Sequence, residues 1–124
     1  MIDFSKSVLF KLMPDKKNAS FPLISPLLIN GENVVESFTT VRDCVVFTDK
    51  RIIAVNVQGI TGSKKDFTSI PYSKIQTFSV ETAGTLDNDA EMDIWISGLG
   101  KIRFEFTRGY NVVNLAKLIS EKIL

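Results

Sequence analysis

The chain has 124 residues, 44% of them hydrophobic, and its 15 Lys and Arg nearly balance its 14 Asp and Glu. This size and composition predict one compact domain with a substantial core, and the near-neutral charge argues against a nucleic-acid partner. The chain has no histidine, which excludes Ser-His-Asp and Cys-His nucleophile systems and removes the commonest transition-metal ligand. We therefore expect no enzymatic activity, no cofactor and no metal site.

The single cysteine, Cys44, cannot form an internal disulfide, and no charged region followed by a long apolar stretch opens the chain. The longest apolar segment, FPLISPLLI at 21–29, contains two prolines and is shorter than the ~20 residues that a membrane-spanning helix needs. These features predict a cytoplasmic protein without a membrane-spanning segment. Cys44 is predicted to be a small core residue, because no cluster of cations is present nearby to lower its pKa.

The first predicted element is a short helix within residues 1–13, where Phe4, Val8 and Leu12 recur at steps of four. Pro14 ends this helix. We assign residues 1–30 to an N-terminal helix and extended segment that packs on the domain or contacts another subunit, and residues 31–124 to the domain itself.

Seven strands are predicted after Gly31, where short runs rich in Val, Ile, Phe and Thr are separated by turn residues. The clearest strand alternates Ile102, Phe104 and Phe106 with polar residues, so that one face is buried. The alternation slips after Ile75, which indicates a β-bulge. The predicted strands are 34–40, 43–48, 51–57, 65–70, 74–82, 91–97 and 101–107.

The last predicted element is an amphipathic helix with Asn111 as its N-cap. Its apolar stripe comprises Val112, Leu115, Ala116, Ile119 and Ile123. A helix that is apolar on one side and follows seven strands is expected to close the open end of a barrel.

Two blocks, VRDCVVFTDKRIIAVNVQGITGSKK and SIPYSKIQTFSVETAGTLDNDAEMDIWISG, lie within residues 42–98. They resemble the small bacterial proteins with a pleckstrin-homology-like (PH-like) domain, a family largely of unknown function. With the final helix, the resemblance covers residues 31–124. It implies a mainly β fold, a seven-stranded barrel of two near-orthogonal sheets capped by a C-terminal helix, which agrees with the periodicity. It also implies homo-oligomers, including rings, and no known catalytic activity.

Relatives of this fold that bind phosphoinositides use several Lys and Arg in the loop between the first two strands. Here that loop is 40–43, and it holds Arg42 beside Asp43, which argues against such a site. A basic rim that contacts an anionic lipid or a phosphorylated ligand remains an alternative, if two hairpin loops meet at one end of the barrel. The cations of that rim would be Lys50, Arg51, Lys64 and Lys65. Otherwise these charges are ordinary turn residues.

The acidic residues Asp87, Asp89, Glu91 and Asp93 have the every-second-residue spacing that begins a calcium loop. However, Met92 stands where that loop needs a glycine. We interpret the series as the solvated face of a strand and its entry loop, and nothing in the spacing recommends a catalytic carboxylate pair.

The predicted oligomer interface consists of Trp95, Phe47 and Ile52. Trp95 lies on the less apolar face of its strand, and exposed aromatic residues are enriched at subunit contacts. The sequence therefore favours a binding or scaffolding module that forms a homo-oligomer, closed into a ring by head-to-tail contacts. Another protein or a peptide is a further candidate partner, and a membrane surface stays an open alternative.

Overall fold

The computed structural model describes residues 1, 9–86, 89–107 and 109–124. Within these residues the chain forms eight β-strands and two α-helices. Their bounds are β1 Leu9–Pro14, α1 Phe21–Ile24, β2 Val34–Thr39, β3 Cys44–Thr48, β4 Arg51–Gln58, β5 Lys64–Pro71, β6 Ile75–Glu81, β7 Ala90–Ile96, β8 Gly100–Phe106 and α2 Val113–Ile123. Two short 3-10 turns, Ser25–Leu27 and Tyr72–Lys74, follow α1 and precede β6.

The eight strands form one sheet in the order β5-β4-β3-β2-β1-β8-β7-β6. Neighbouring strands are antiparallel, except that β1 and β8 run parallel. β1 pairs with β8 through Leu9 and Leu12, and with β2 through Met13 and Pro14. The mainly β, PH-like fold with a C-terminal helix is confirmed, whereas the expected detail of seven strands in two near-orthogonal sheets is not.

The predicted N-terminal helix is wrong over residues 9–13, which belong to β1. The remainder of that prediction, 2–8, lies outside the described residues. Short apolar runs are ambiguous between helix and strand, and here hydrogen bonding to two neighbouring strands outweighs the four-residue spacing. Lys11 interrupts the regular strand with a positive φ of 62°, so the period-two pattern of a strand is also broken.

The other predicted elements are confirmed. Each of the seven predicted strands coincides with one of β2 to β8 to within one residue at each end. The predicted slip is a register shift between Ile75 and Thr77, where β6 pairs with β7. The N-cap of α2 is Val112, one residue later than predicted, although Asn111 Oδ1 accepts a hydrogen bond from the Val113 backbone N–H at 3.2 Å.

The chain divides into two compact units. The first unit comprises Met1–Ile2 and Met13–Pro71, and the second comprises Asp3–Leu12 and Tyr72–Leu124. In the second unit, apolar side chains of β7 and β8 alternate inward, and the buried side of α2 contributes Leu115, Leu118 and Ile119.

The segment around α1 covers one face of β3 and β4 in the first unit. Ile24 is fully buried there against four strand residues, and Leu23 and Leu28 pack at the edge of the cluster. The strand residues of this cluster are Cys44, Val46, Ile53 and Val55. The apolar stretch 21–29 therefore serves as the lid of a local hydrophobic core.

The packing of Ile24 yields a stability prediction. Ile24→Ala should lower the free energy of unfolding by about 2–5 kcal/mol, because it leaves a cavity in a closed apolar cluster. Urea denaturation followed by circular dichroism measures the change. Leu86→Ala, at an exposed aliphatic residue, is the control and should change stability by less than about 0.5 kcal/mol. Equal effects of the two substitutions would contradict the packing described for α1.

Candidate functional site

Arg51, a predicted rim cation, is a structural residue that binds a buried carboxylate. Its Nε and Nη2 atoms donate to the two oxygens of Glu32, each at 2.9 Å. Nη2 also donates to the Leu27 carbonyl at 2.7 Å, and Nη1 donates to Ser69 Oγ at 3.0 Å. The guanidinium therefore has protein partners on all three nitrogens, and its charge is not available to an external anion.

The carboxylate of Glu32 has no solvent-exposed side-chain surface. Besides Arg51, it accepts hydrogen bonds from Thr48 Oγ1 at 2.7 Å and from the Ile29 backbone N–H at 3.1 Å. Burial by itself raises the pKa of Glu32, but these hydrogen bonds and the Arg51 charge outweigh burial and hold the pKa below its ordinary value. The carboxylate is therefore ionised at neutral pH, as the bidentate pair requires.

The turn between β3 and β4 is organised by Thr48. Its hydroxyl oxygen accepts the backbone N–H groups of Lys50 at 3.0 Å and Arg51 at 2.9 Å. Asp49 accepts the Asn33 backbone N–H at 3.0 Å, which ties the turn to the chain before β2. Lys50 is exposed at this turn, so it is the cation here that faces solvent.

The structure does not bring the four predicted rim cations together. Arg51 pairs with Pro71 at one end of the β4–β5 hairpin, whereas Lys64 and Lys65 pair with residues at its other end. With a rise of ~3.3 Å per residue, the two ends lie roughly 20 Å apart. The predicted rim is therefore wrong as a single site, because its two loops occupy opposite ends of the same strands.

Lys64 and Lys65 instead share an end of the first unit with the β2–β3 loop. Arg42 Nη2 donates to the Gly59 carbonyl, which joins this loop to the β4–β5 hairpin. Asp43 strengthens the connection, because its carboxylate accepts the Val57 backbone N–H at 2.9 Å. A cavity of about 230 Å³ lies beside the β2–β3 loop. Its lining residues are Ala19, Ser20, Leu23, Thr39, Thr40, Val41, Arg42, Asp43 and Cys44.

Phe47 and Ile52, two of the three predicted interface residues, are fully buried. They are cross-strand neighbours on β3 and β4, and the Phe47 ring meets Phe38 edge to face with centroids 5.8 Å apart. The interface prediction is wrong for both residues, since side chains without exposed surface cannot form a contact between copies.

Trp95, the third predicted interface residue, has 49% of its side chain exposed. On β7 it lies between two cross-strand neighbours, Thr77 of β6 and Lys101 of β8. A groove of about 200 Å³ runs beside it in the second unit. The groove is lined by Thr77, Phe78, Ser79, Asp93, Ile94, Trp95 and Lys101.

The polar face next to Trp95 is built around an ion pair. Arg103 Nε and Nη2 donate to the two oxygens of Asp93 at 2.9 and 3.0 Å, and Nη1 lies 3.6 Å from Glu91. The hydrogen bonds from Arg103 lower the pKa of Asp93 below its ordinary value. Burial raises the pKa of Glu91, and the charges of Glu105 and Glu81 raise it further against the opposing effect of Arg103.

These register positions make one row of three glutamates. Glu81, Glu91 and Glu105 are in register across β6, β7 and β8. The face therefore carries four carboxylates, Asp93 included, against the cations Lys101 and Arg103. Its character is acidic, with a half-exposed aromatic ring at one end.

The ionisable groups offer no assembled chemistry in the part of the chain that the structure describes. No three His, Cys, Asp or Glu side chains lie close enough there to hold a metal ion, and Asp87 lies outside that part. The Cys44 thiol is buried, as predicted, and burial together with the negative charges of Asp15 and Asp43 raises its pKa to about 12. Among the described helices, none has the length and apolar character needed to cross a bilayer.

The family model of the bacterial PH domain matches residues 3–123. The chain belongs to the bacterial PH domain family. This bacterial PH domain is 46% identical over 99 residues to YjqA, an uncharacterized protein of Bacillus subtilis strain 168, and the match covers 78% of this chain and 79% of YjqA. The resemblance found in the sequence is therefore confirmed.

Solved structures agree with this assignment. A DUF1696 family protein with a PH domain from Shewanella loihica PV-4 is 36% identical, with a TM-score of 0.77 and coverage of 92% of this chain and 98% of that one. A PH domain from Shewanella amazonensis SB2B is 42% identical, with a TM-score of 0.63 and 89% coverage of both chains. A PH-domain protein from Exiguobacterium sibiricum 255-15, at 21% identity and a TM-score of 0.69, shares the fold over 90% of this chain and 61% of its own.

The role of Arg51 in this bacterial PH domain can be tested by comparison with its neighbour. Arg51→Ala should lower the free energy of unfolding by about 3–5 kcal/mol, because it leaves the Glu32 carboxylate buried without its ion partner. Lys50→Ala removes an equal charge from the same turn and should change stability by less than about 0.5 kcal/mol. Urea denaturation measures both, and a similar small effect for both variants would show that Arg51 is only a surface charge.

The lowered pKa of Glu32 predicts a specific pH dependence. Near neutral pH, Glu32→Gln should be less stable than the unmodified chain, because the ionised carboxylate is bound more strongly than the neutral amide. This advantage is fully present above the ordinary pKa of 4.5 and is lost as the pH falls through the lower folded-state pKa. Unfolding free energies of both proteins across this range should converge at acid pH, and a constant difference would contradict the assignment.

Proposed function

We propose that this bacterial PH domain is a non-enzymatic binding and scaffolding module that assembles into a homo-oligomer in the cytoplasm. Head-to-tail contacts between copies would close the assembly into a ring, because an interface joining two different surfaces of the same chain repeats until it meets itself. The observation that carries the proposal is the half-exposed Trp95 beside its groove on the second unit.

Trp95 has the properties of an interface anchor. Its ring buries a large apolar area when covered, and tryptophan is among the residues that dominate the energy of protein contacts. The row that holds it also presents Thr77 and Lys101, which can supply the polar rim that surrounds such an anchor. An acidic face next to the ring adds charge selectivity, so the partner surface is expected to be basic.

A non-catalytic role is supported by how the ionisable groups are used. Arg51 and Glu32 satisfy each other inside the first unit, and Arg103 binds Asp93 on the second. The raised pKa of the Cys44 thiol keeps it protonated and poorly nucleophilic at neutral pH. The strongest charges and the one thiol thus have structural surroundings, which suits a module that acts by binding.

Two further parts of the proposal concern the N-terminal segment and the partner. The division of the chain at residue 30 stays a prediction, although the burial of Ile24 gives the segment 1–30 a packing role. Another protein or a peptide could occupy the Trp95 groove in place of a second copy. In that case the isolated chain would be monomeric and the groove would be free.

The self-association proposal is tested by light scattering at micromolar concentration. The unmodified chain should have a mass that is a multiple of 13.8 kDa, and Trp95→Ala should shift it to 13.8 kDa with unchanged β-type circular dichroism. Phe21→Ala, at another exposed aromatic residue, is the matched control and should keep the oligomer. A monomeric unmodified chain would overturn the proposal, and an unchanged Trp95→Ala oligomer would exclude this residue from the interface.

A further inference from the structure

Two loop tips of the first unit each project an aliphatic side chain into solvent. Val41 lies in the β2–β3 loop and Ile60 lies in the β4–β5 hairpin, and both are fully exposed. A single exposed aliphatic residue is ordinary, but two on connected loops form an apolar feature that stabilises nothing in the chain itself.

The two tips are held next to each other by polar contacts between their loops. Arg42, adjacent to Val41, donates to the carbonyl of Gly59, adjacent to Ile60. Gly62 permits this close approach, because a Cβ at that position would lie 3.6 Å from Arg42 Nη2 and 3.2 Å from Val57 Cγ1. Its φ of +69° also disfavours any other residue there. The tips are thus positioned before any partner binds.

Cations surround the two tips. Arg42 lies between them, and Lys64 and Lys65 begin the strand that leaves the β4–β5 hairpin. The loop 15–19 adds Lys16 and Lys17, and its Ala19 lines the same cavity as Val41. These five cations outnumber the three carboxylates of the same loops. The carboxylates bind protein donors: Asp15 accepts from Ser20 Oγ, Asp43 from the Val57 N–H, and Asp66 from Thr68 Oγ1.

We propose that this end of the first unit docks on an anionic lipid bilayer. Val41 and Ile60 insert into the boundary between headgroups and acyl chains, and the surrounding Lys and Arg side chains bind lipid phosphates. The vertical order of chemistry matches a bilayer, because apolar tips project beyond a ring of cations as hydrocarbon lies beneath a layer of anions. A protein partner would require a concave or extended apolar surface, whereas this one consists of two separate projecting points.

The binding is expected to be reversible and sensitive to salt. Two aliphatic side chains supply a small apolar area, and the exposed cations are screened as ionic strength rises. In a homo-oligomer several copies of this end could engage one surface, which would raise the apparent affinity without any new contact.

Vesicle co-sedimentation of the full chain tests the apolar part. Vesicles of phosphatidylcholine with phosphatidylglycerol should bind the protein, and vesicles of phosphatidylcholine alone should bind it far less. Val41→Ser with Ile60→Ser should reduce the partition coefficient about tenfold or more, because both tips lose their inserted apolar surface. Leu86→Ser, at an equally exposed aliphatic residue of the second unit, is the matched control and should leave the partition coefficient unchanged.

Charge variants test the cationic part. Lys64→Gln with Lys65→Gln should reduce binding to the anionic vesicles by about fivefold for each cation removed, and added salt should reduce binding of the unmodified chain in the same direction. Lys50→Gln, at the other end of the β4 and β5 strands, should have little effect.

Three results would overturn the membrane proposal. These are no binding to anionic vesicles at low salt, equal binding to neutral vesicles, and equal losses from the control and tip variants. The first would point to a protein as the partner of the tips. Light scattering on the Val41→Ser and Ile60→Ser double variant keeps this test separate from self-association, since its mass should equal that of the unmodified chain.

Discussion

The buried ion pair of Glu32 and Arg51 is the constraint on which the first unit depends. A carboxylate without solvent contact must be paired, and the Arg51 fork meets that need while also binding the Leu27 carbonyl. One side chain thereby fastens the β3–β4 hairpin to the segment that carries Ile24 over the sheet. The apolar cover and the polar clamp reinforce each other, because the clamp positions the cover and the cover keeps water from the clamp.

This use of charge separates structural cations from those left for binding. Arg51 and Arg103 are both held by carboxylates in bidentate geometry, whereas Lys64 and Lys65 are exposed beside solvent-facing aliphatic tips. The surfaces proposed for function are therefore those where charge or apolar area exceeds what folding requires. One belongs to the first unit and suits an anionic bilayer, and the other belongs to the second unit and suits another copy of the chain.

The strands of this bacterial PH domain could be predicted from the sequence because Val, Ile and Phe alternate with polar residues between clear turns. The first strand could not, since Lys11 breaks its period and its partners, β2 and β8, are distant along the chain. Alternation also shows which side chains share a face but not what covers that face, so Phe47 was indistinguishable from an outward residue. The pairing of Arg51 with Glu32 joins residues 19 positions apart, and nothing local to the TDKR turn indicates it.

The burial of Cys44 beneath the α1 segment has a practical consequence. This is the one thiol of the chain, and with its pKa raised to about 12 and its surface covered it is inert toward alkylating reagents while the segment is in place. Its reaction rate therefore reports how often the segment lifts from the sheet, as an intrinsic clock for local opening that needs no label. The motion of 21–28 can thus be followed separately from unfolding of the whole chain.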